Sequence, residues 1–296
     1  MNLPVVNDAD LAAFRRDGFL VVRDVFARDE LDAFRAESVA ICRGARGRVA
    51  QLEPAAPGDD EAALLGRYIV CVMVHKLDSL FARLLVDPRL AAVLTRLVGP
   101  NVKAVHSQLF FKRGGMPGNA WHQDETFLPT RDRSLVTAWV AVDDATVANG
   151  CLKVLPGSHR PSVLWPMRRH HDPDLDRAEE AYGFPQNPRD AVPIELAAGS
   201  VVFFGGYLLH SSFPNRGAAD VFRRALLFVY CSAETPLAFD PTSYQPTGVD
   251  YRDIVMVAGT DPYAWKGTTR LGEPYMRKAG PSANDLRLAA QNETAR

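Results

Sequence analysis

The hydrophobic period of this chain changes once, near residue 102, and that change restricts the fold to helices laid against a β core. Before it, the apolar residues recur at helical spacing. The stretch 7-NDADLAAFRRD-17 has a capping residue, Leu11 and Phe14 one turn apart, and a stop at Gly18. After a short strand at 19-FLVVRDVF-26, helical period returns over 28–45 through Leu31, Phe34, Val39 and Ile41. Further helices are predicted around 76–85 and 87–98, the second closed by Gly99-Pro100, with a surface loop at 52-LEPAAPGDDE-61. From 102-VKAVHSQLFFKR-113 onward the pattern alternates, which places Val102, Ala104, His106, Gln108 and Phe110 on one strand face. Strand-like runs follow at 134–144, 151–156, 192–196, 200–204, 207–212 and 223–232, separated by Gly, Pro and Asn turns.

Many short strands of this kind predict a sandwich or barrel-like β core, and early helices covering one sheet make the class α+β, mainly β. The chain reads as a single domain over 1–296, with its β core at about 102–235. The segment 161–190 breaks the strand rhythm and reads as an inserted lid. The Pro-, Gly- and Thr-rich tail from about 235 reads as loops folded back over the core.

Composition narrows the function classes. A hydrophobic fraction of 47% allows a sizeable core, and 34 basic against 35 acidic residues give no excess charge for nucleic acid. No apolar run approaches a membrane span, and the N-terminus has no signal-peptide pattern, so the expected location is cytoplasmic. Cys42, Cys71, Cys151 and Cys231 are scattered without a C-x-x-C, as expected of buried thiols in a reducing compartment. No feature sets the oligomeric state.

Chemistry enters at 121-WHQDETFLPT-130. On a strand, residues two apart point the same way, so His122 and Asp124 can reach one metal while Gln123 faces away. His210, at the end of 200-SVVFFGGYLLHSS-212, would add the third ligand from another strand. Two imidazoles and a carboxylate on one face of an octahedral ion form the facial triad of non-haem Fe(II) oxygenases, with three positions left open. A short H-x-D is common, however, and a lone strand histidine fits a core or surface role equally well.

The company these residues keep is more specific. The segments 16-RDGFLVVRDVF-26, 108-QLFFKRGG-115, W-H-x-D, 149-NGCLKVLPGSHR-160 and 210-HSSFPN-215 followed by 222-FRRA-225 resemble the phytanoyl-CoA dioxygenase (PhyH-like) family over roughly residues 8–235. The resemblance implies a double-stranded β-helix, or jelly roll, using Fe(II), 2-oxoglutarate and O2. It implies His122, Asp124 and His210 as iron ligands and Arg223 as the partner of the distal carboxylate of 2-oxoglutarate. That role suits a planar guanidinium, which binds a carboxylate in two places and stays charged. Strand alternation sends Arg224 to the opposite face. Ser212, two residues after His210 and on the same strand face, could bond the same carboxylate. Gln108 resembles a co-substrate contact in relatives, and Trp139 stands where relatives often carry a tryptophan beside the co-substrate. As bare sequence features, a strand serine, a core polar residue and a core aromatic fit as well. Ser211 stands where relatives often carry glycine. The carboxylate of Asp124 argues against halogenation, for which similar iron enzymes carry a small residue there.

The expected function is hydroxylation of an unactivated carbon of a small-molecule metabolite, with release of succinate and CO2. Desaturation, epimerisation or cyclisation by the same site are the alternatives, as is a cupin-like metal enzyme (an isomerase or other dioxygenase) that does not use 2-oxoglutarate. Phe127, Leu128, Trp165, Met167 and Phe213 are candidate pocket walls. Lys112, Arg113, Arg131, Arg133, Arg168 and Arg169 would form a basic entrance if the substrate were a CoA thioester. The cluster 168-RRHHDPD-174 reads as a solvated loop rather than a second metal site.

Overall fold

The computed structural model describes residues 3–176, 179–240 and 245–280. Five α-helices occupy the first third: α1 (Asp8–Asp17), α2 (Arg28–Cys42), α3 (Glu61–Leu65), α4 (Leu80–Leu84) and α5 (Pro88–Leu97). Their ends carry local signals. Asn7 and Asp10 form a reciprocal capping box, and Gly18 takes the left-handed conformation (φ 88°) that ends α1. Asp87 caps α5, and Pro88 occupies its first turn, where no N–H is needed. The helix predicted over 76–85 is interrupted, because only Leu80–Leu84 is α-helical and Val74–Lys76 forms a 3₁₀ turn.

The first strands are β1 (Phe19–Val22), β2 (Tyr68–Val72), β3 (Val102–Arg113) and β4 (Val136–Ala141). Next come β5 (Leu152–Val154), β6 (Met167–Arg169), β7 (Glu179–Ala181), β8 (Val192–Ile194) and β9 (Val201–Gly205). The last are β10 (His210–Ser212), β11 (Phe222–Ser232), β12 (Phe239–Asp240), β13 (Gln245–Pro246), β14 (Val255–Ala258) and β15 (Tyr275–Lys278). An antiparallel sheet runs β1-β9-β4-β11-β3-β2-β15, with β14 also on β3; a smaller sheet runs β10-β5-β8. This is the expected α+β jelly-roll architecture.

The large sheet is buried on both sides. Val136, Ala138 and Val140 of β4, with Leu226, Phe228 and Tyr230 of β11, join the helices in the main apolar core. The alternate residues Trp139 and Ala225 face the other way, into a second apolar cluster with the small sheet. The sheet therefore separates a helix-packed core from the jelly-roll interior, where a ligand can enter.

Two expectations need correction, and one strand went unforeseen. The register of β3 on β11 slips between Val229 and Tyr230, so that Val105 is the extra residue of a bulge. Val102 and Ala104 consequently pack into the helix-side core, whereas His106, Gln108 and Phe110 line the interior. They do not share one face. Strand β2 had no alternating signal because it is buried almost throughout, a pattern that periodicity cannot separate from a buried helix. The tail is more than loops. Its β14 and β15 extend the large sheet by pairing with β3 and β2. The 161–190 segment contains the hairpin β6/β7, and its residues 177 and 178 lie outside the described residues.

Candidate active site

His122 and Asp124 do not lie on a regular strand as the i, i+2 argument supposed. His122 forms an isolated antiparallel bridge to His210, with backbone bonds of 3.0 and 3.1 Å in the two directions. Asp124 opens a 3₁₀ turn, Asp124–Thr126. The bridge places the two imidazoles side by side, ring centroids 4.1 Å apart. Asp124 Oδ1 lies 3.7 Å from His122 Nε2 and 3.6 Å from His210 Nε2. Neighbouring donors on an octahedral ion with bonds of about 2.1 Å are about 3 Å apart, so a small contraction would close the three donors on one ion. Among the described residues this is the one group of three such side chains close enough to hold a metal.

The surroundings fix which atoms face that point. His122 Nδ1 donates to the Ala120 carbonyl at 2.8 Å, and His210 Nδ1 donates to the Leu208 carbonyl at 3.0 Å. These bonds select the tautomer that leaves the Nε2 lone pairs for a metal. The Thr137 hydroxyl donates to Asp124 Oδ2 at 2.6 Å, turning Oδ1 toward the histidines. Gln123 points away as expected and ties the loop down, donating to the carbonyls of Val163 and Tyr207 and accepting from the Trp165 N–H.

The triad lines a cavity of about 410 Å³ in the jelly-roll interior. Arg223, only 4% exposed, lines the same cavity, with Trp139 beneath it at 5.1 Å from the guanidinium carbon. Its Nη2 donates to the Gly150 carbonyl at 3.2 Å, while Nε and Nη1 have no hydrogen-bond partner among the described residues. Burial pulls its pKa down to about 10. Unpartnered donors on a buried cation are costly, and a carboxylate fits this fork. The residues present therefore fit both an iron ion and an acidic co-substrate.

Lys112, directly opposite Arg223 in the β3–β11 register, lies on the floor of this cavity and not at its entrance. Its ammonium donates to Ser212 Oγ at 3.0 Å and to the Phe213 carbonyl at 2.5 Å. Burial, and then the adjacent Arg223, hold its pKa well below the usual lysine range. Ser212 Oγ also accepts the Asn119 N–H at 2.8 Å, which leaves its own proton to donate. Gly150 explains part of the N-G-C-L motif: its φ is +93°, and a Cβ there would sit 2.7 Å from both Lys112 Cδ and the Phe213 oxygen.

All seven site residues of the sequence reading, His122, Asp124, His210, Arg223, Ser212, Gln108 and Trp139, line this one cavity. Phe127, Leu128 and Met167 also line it. Trp165 instead packs with Trp121 and Leu155, and Phe213 packs under Lys153 and against the small sheet. Ser211 is buried, and its hydroxyl donates to the Asn119 carbonyl at 2.6 Å rather than shaping the cavity. Arg168 pairs with Glu180 at 2.8 Å on the surface.

The sequence reading missed Thr137 and the placement of Lys112. Both were within reach of alternation, since Thr137 shares parity with Trp139 and Lys112 with Gln108. Asp176, Glu179, Tyr275 and Arg277 also line the cavity, from the insertion and the tail, and carried no periodic signal.

Similarity to known proteins agrees with this geometry. The family model described as phytanoyl-CoA dioxygenase (PhyH) matches residues 14–225. The chain is 31% identical over 216 residues to phytanoyl-CoA dioxygenase 1 of Oryza sativa subsp. japonica, covering 71% of this chain and 74% of that protein. It is 30% identical over 255 residues to ectoine dioxygenase of Bordetella parapertussis, covering 78% and 77%. The fold is similar to that of SnoK, a non-heme alpha-ketoglutarate-dependent carbocyclase from nogalamycin biosynthesis (TM-score 0.61, 21% identity, 86% of this chain and 97% of that one). Matched over most of its length, the chain belongs to the phytanoyl-CoA dioxygenase family of Fe(II)- and 2-oxoglutarate-dependent oxygenases.

Proposed function

We propose that this protein hydroxylates an unactivated carbon of a small-molecule metabolite, coupled to conversion of 2-oxoglutarate to succinate and CO2. One observation carries the co-substrate reading: Arg223 has two buried guanidinium nitrogens without a partner among the described residues, and it lines the cavity that the His–Asp–His triad also lines. A cupin-like enzyme without 2-oxoglutarate has no use for such a group.

His122, Asp124 and His210 would hold the iron, which supplies the oxygen-activating chemistry when bound. Arg223 would grip the distal carboxylate of 2-oxoglutarate, Ser212 would donate its oriented hydroxyl, and Lys112 would hold Ser212 in place through its bond to Oγ. Trp139 supports the guanidinium from below, and Gln108 offers an amide on the same wall. Phe127, Leu128 and Met167 give the cavity apolar wall, which would exclude water from the reacting carbon. Carried to this chain, these roles make the partner a small-molecule substrate rather than nucleic acid, in keeping with the near-zero net charge. No helix among the described residues is long and apolar enough to cross a membrane.

The test is an anaerobic titration of Fe(II)-loaded protein with 2-oxoglutarate, followed by the weak visible charge-transfer band of the chelate. The band is expected in the wild type and absent in His210→Ala. A wild type that binds iron yet gives no band would overturn the 2-oxoglutarate reading. Product mass then tests the outcome: hydroxylation adds one oxygen, whereas loss of two hydrogens or an unchanged mass would replace it with desaturation or epimerisation.

A further inference from the structure

Beside the triad cavity lies a second chamber of about 460 Å³ that shares Val72, His106, Leu128 and Tyr275 as walls with the first. Its other walls include Val105, Leu237, Phe239, Tyr251 and Leu271. Four of these five follow residue 232, where β11 ends, so the tail beyond the jelly-roll strands builds the chamber. Val105 is the fifth, turned into it by the bulge in β3.

Few charges around the two chambers are free for a ligand. Outside the Arg223–Lys112 floor and Asp124 of the triad, the charged side chains that line them are Asp176, Glu179, Asp253 and Glu273, against the single guanidinium of Arg277. Arg277 is already paired with Asp176. Asp253 is held by Lys76 and by the Leu271 and Gly272 N–H groups, and Glu273 lies 3.6 Å from Arg270. Outside that floor, no cation among the described lining residues is left without a carboxylate beside it. A CoA thioester, with its several phosphates, would find no spare positive charge in these walls.

We propose that the second chamber is the distal half of the acceptor-substrate site, and that the acceptor is an elongated, largely apolar molecule without phosphate groups. Its reacting carbon lies below the triad, and its far end rests among Leu237, Phe239 and Tyr251. The tail then sets substrate length, while the jelly roll supplies the chemistry. The proposal rests on the oxygenase reading above for the position of the reacting carbon.

The test uses the Fe(II)- and 2-oxoglutarate-loaded protein under anaerobic conditions, titrated with hexanamide, octanamide, decanamide and decanoyl-CoA. Binding is read from tryptophan fluorescence and from displacement of the charge-transfer band. Affinity is expected to rise about tenfold for each two methylenes added along the amide series, and decanamide is expected to bind more tightly than decanoyl-CoA. Leu237→Trp fills the chamber from its buried wall, and Leu271→Trp fills it from its half-buried edge. Either should level the series at hexanamide while leaving 2-oxoglutarate affinity unchanged. A flat series in the wild type, a length dependence that survives both substitutions, or tighter binding of the thioester would each overturn the proposal. If no band forms with 2-oxoglutarate, the functional reading fails instead, and the fluorescence series on the unloaded protein still decides whether the chamber takes an apolar chain.

Discussion

Arg223 and Arg224 are consecutive on β11, and the sheet gives them opposite surroundings. Arg224 faces the helices. It donates to Asp143 through Nε at 2.7 Å and Nη2 at 3.1 Å, and to Glu61 at 2.6 Å. Arg35 reaches the same Asp143 at 2.9 Å. Arg223 faces the cavity with one long bond to a carbonyl and, among the described residues, no carboxylate at ion-pair distance. A cation that holds a fold together has its anion built in beside it. A cation meant for a ligand is buried without one and lowers stability until the ligand arrives.

The sharpest way to break this contrast is Arg223→Met. It should weaken 2-oxoglutarate about 100-fold in the anaerobic titration, the size of effect expected for a lost charge-assisted pair. It should also raise the melting temperature of the unloaded protein, because it removes an uncompensated buried charge. A variant that loses both binding and stability would mean that Arg223 is structural. Arg224→Met should do the reverse: about 2 kcal/mol of stability lost in urea unfolding, since Arg35 remains on Asp143, and 2-oxoglutarate affinity within about threefold of wild type. Thr137→Val tests the interior face at the iron. Loss of its bond to Asp124 should weaken Fe(II) about tenfold without moving the melting temperature of the metal-free protein.

Proton linkage separates the two faces more finely. Burial pushes the Asp143 carboxyl up, and the arginines more than offset this, so its pKa lies below its ordinary value. A depressed carboxyl contributes stability above its unfolded pKa and loses it as pH falls through the folded value. The stability gap between wild type and Arg224→Met should therefore narrow in acid, below about pH 4. Arg223 has the opposite linkage. Its pKa is lowered to about 10, so the cost of burying it is fully present below that pH and fades only above it. The advantage of Arg223→Met should accordingly still be present at about pH 9 and fade only above about pH 10. Unfolding curves at several pH values check both signs.

Much of the site was legible because strand alternation works over short distances. It placed Arg223 and Arg224 on opposite faces and put Gln108 and His106 on one wall. It failed where the backbone left regular geometry. The bulge at Val105 reversed the face of Val102 and Ala104, and a bulge has no hydrophobic signature. His122 and Asp124 converge through a bridge and a 3₁₀ turn, so their side chains come together although the supposed strand is absent. Trp165 and Phe213 were misplaced because an aromatic residue in a loop reads the same whether it faces a cavity or packs against a neighbouring sheet.

The sequence by itself determined the β core with its helical cover, the three candidate metal ligands and the arginine that lines the same cavity. Each depends on residue type and on spacing along one strand or one short motif. Only the tertiary structure decided that Lys112 sits on the cavity floor beside Arg223, that Thr137 orients Asp124, and that the insertion and the tail wall the cavity and its neighbour. These placements depend on which strands pair, in what register, and on where a tail returns after leaving the core. Such contacts join residues far apart in the chain, and no local pattern records them.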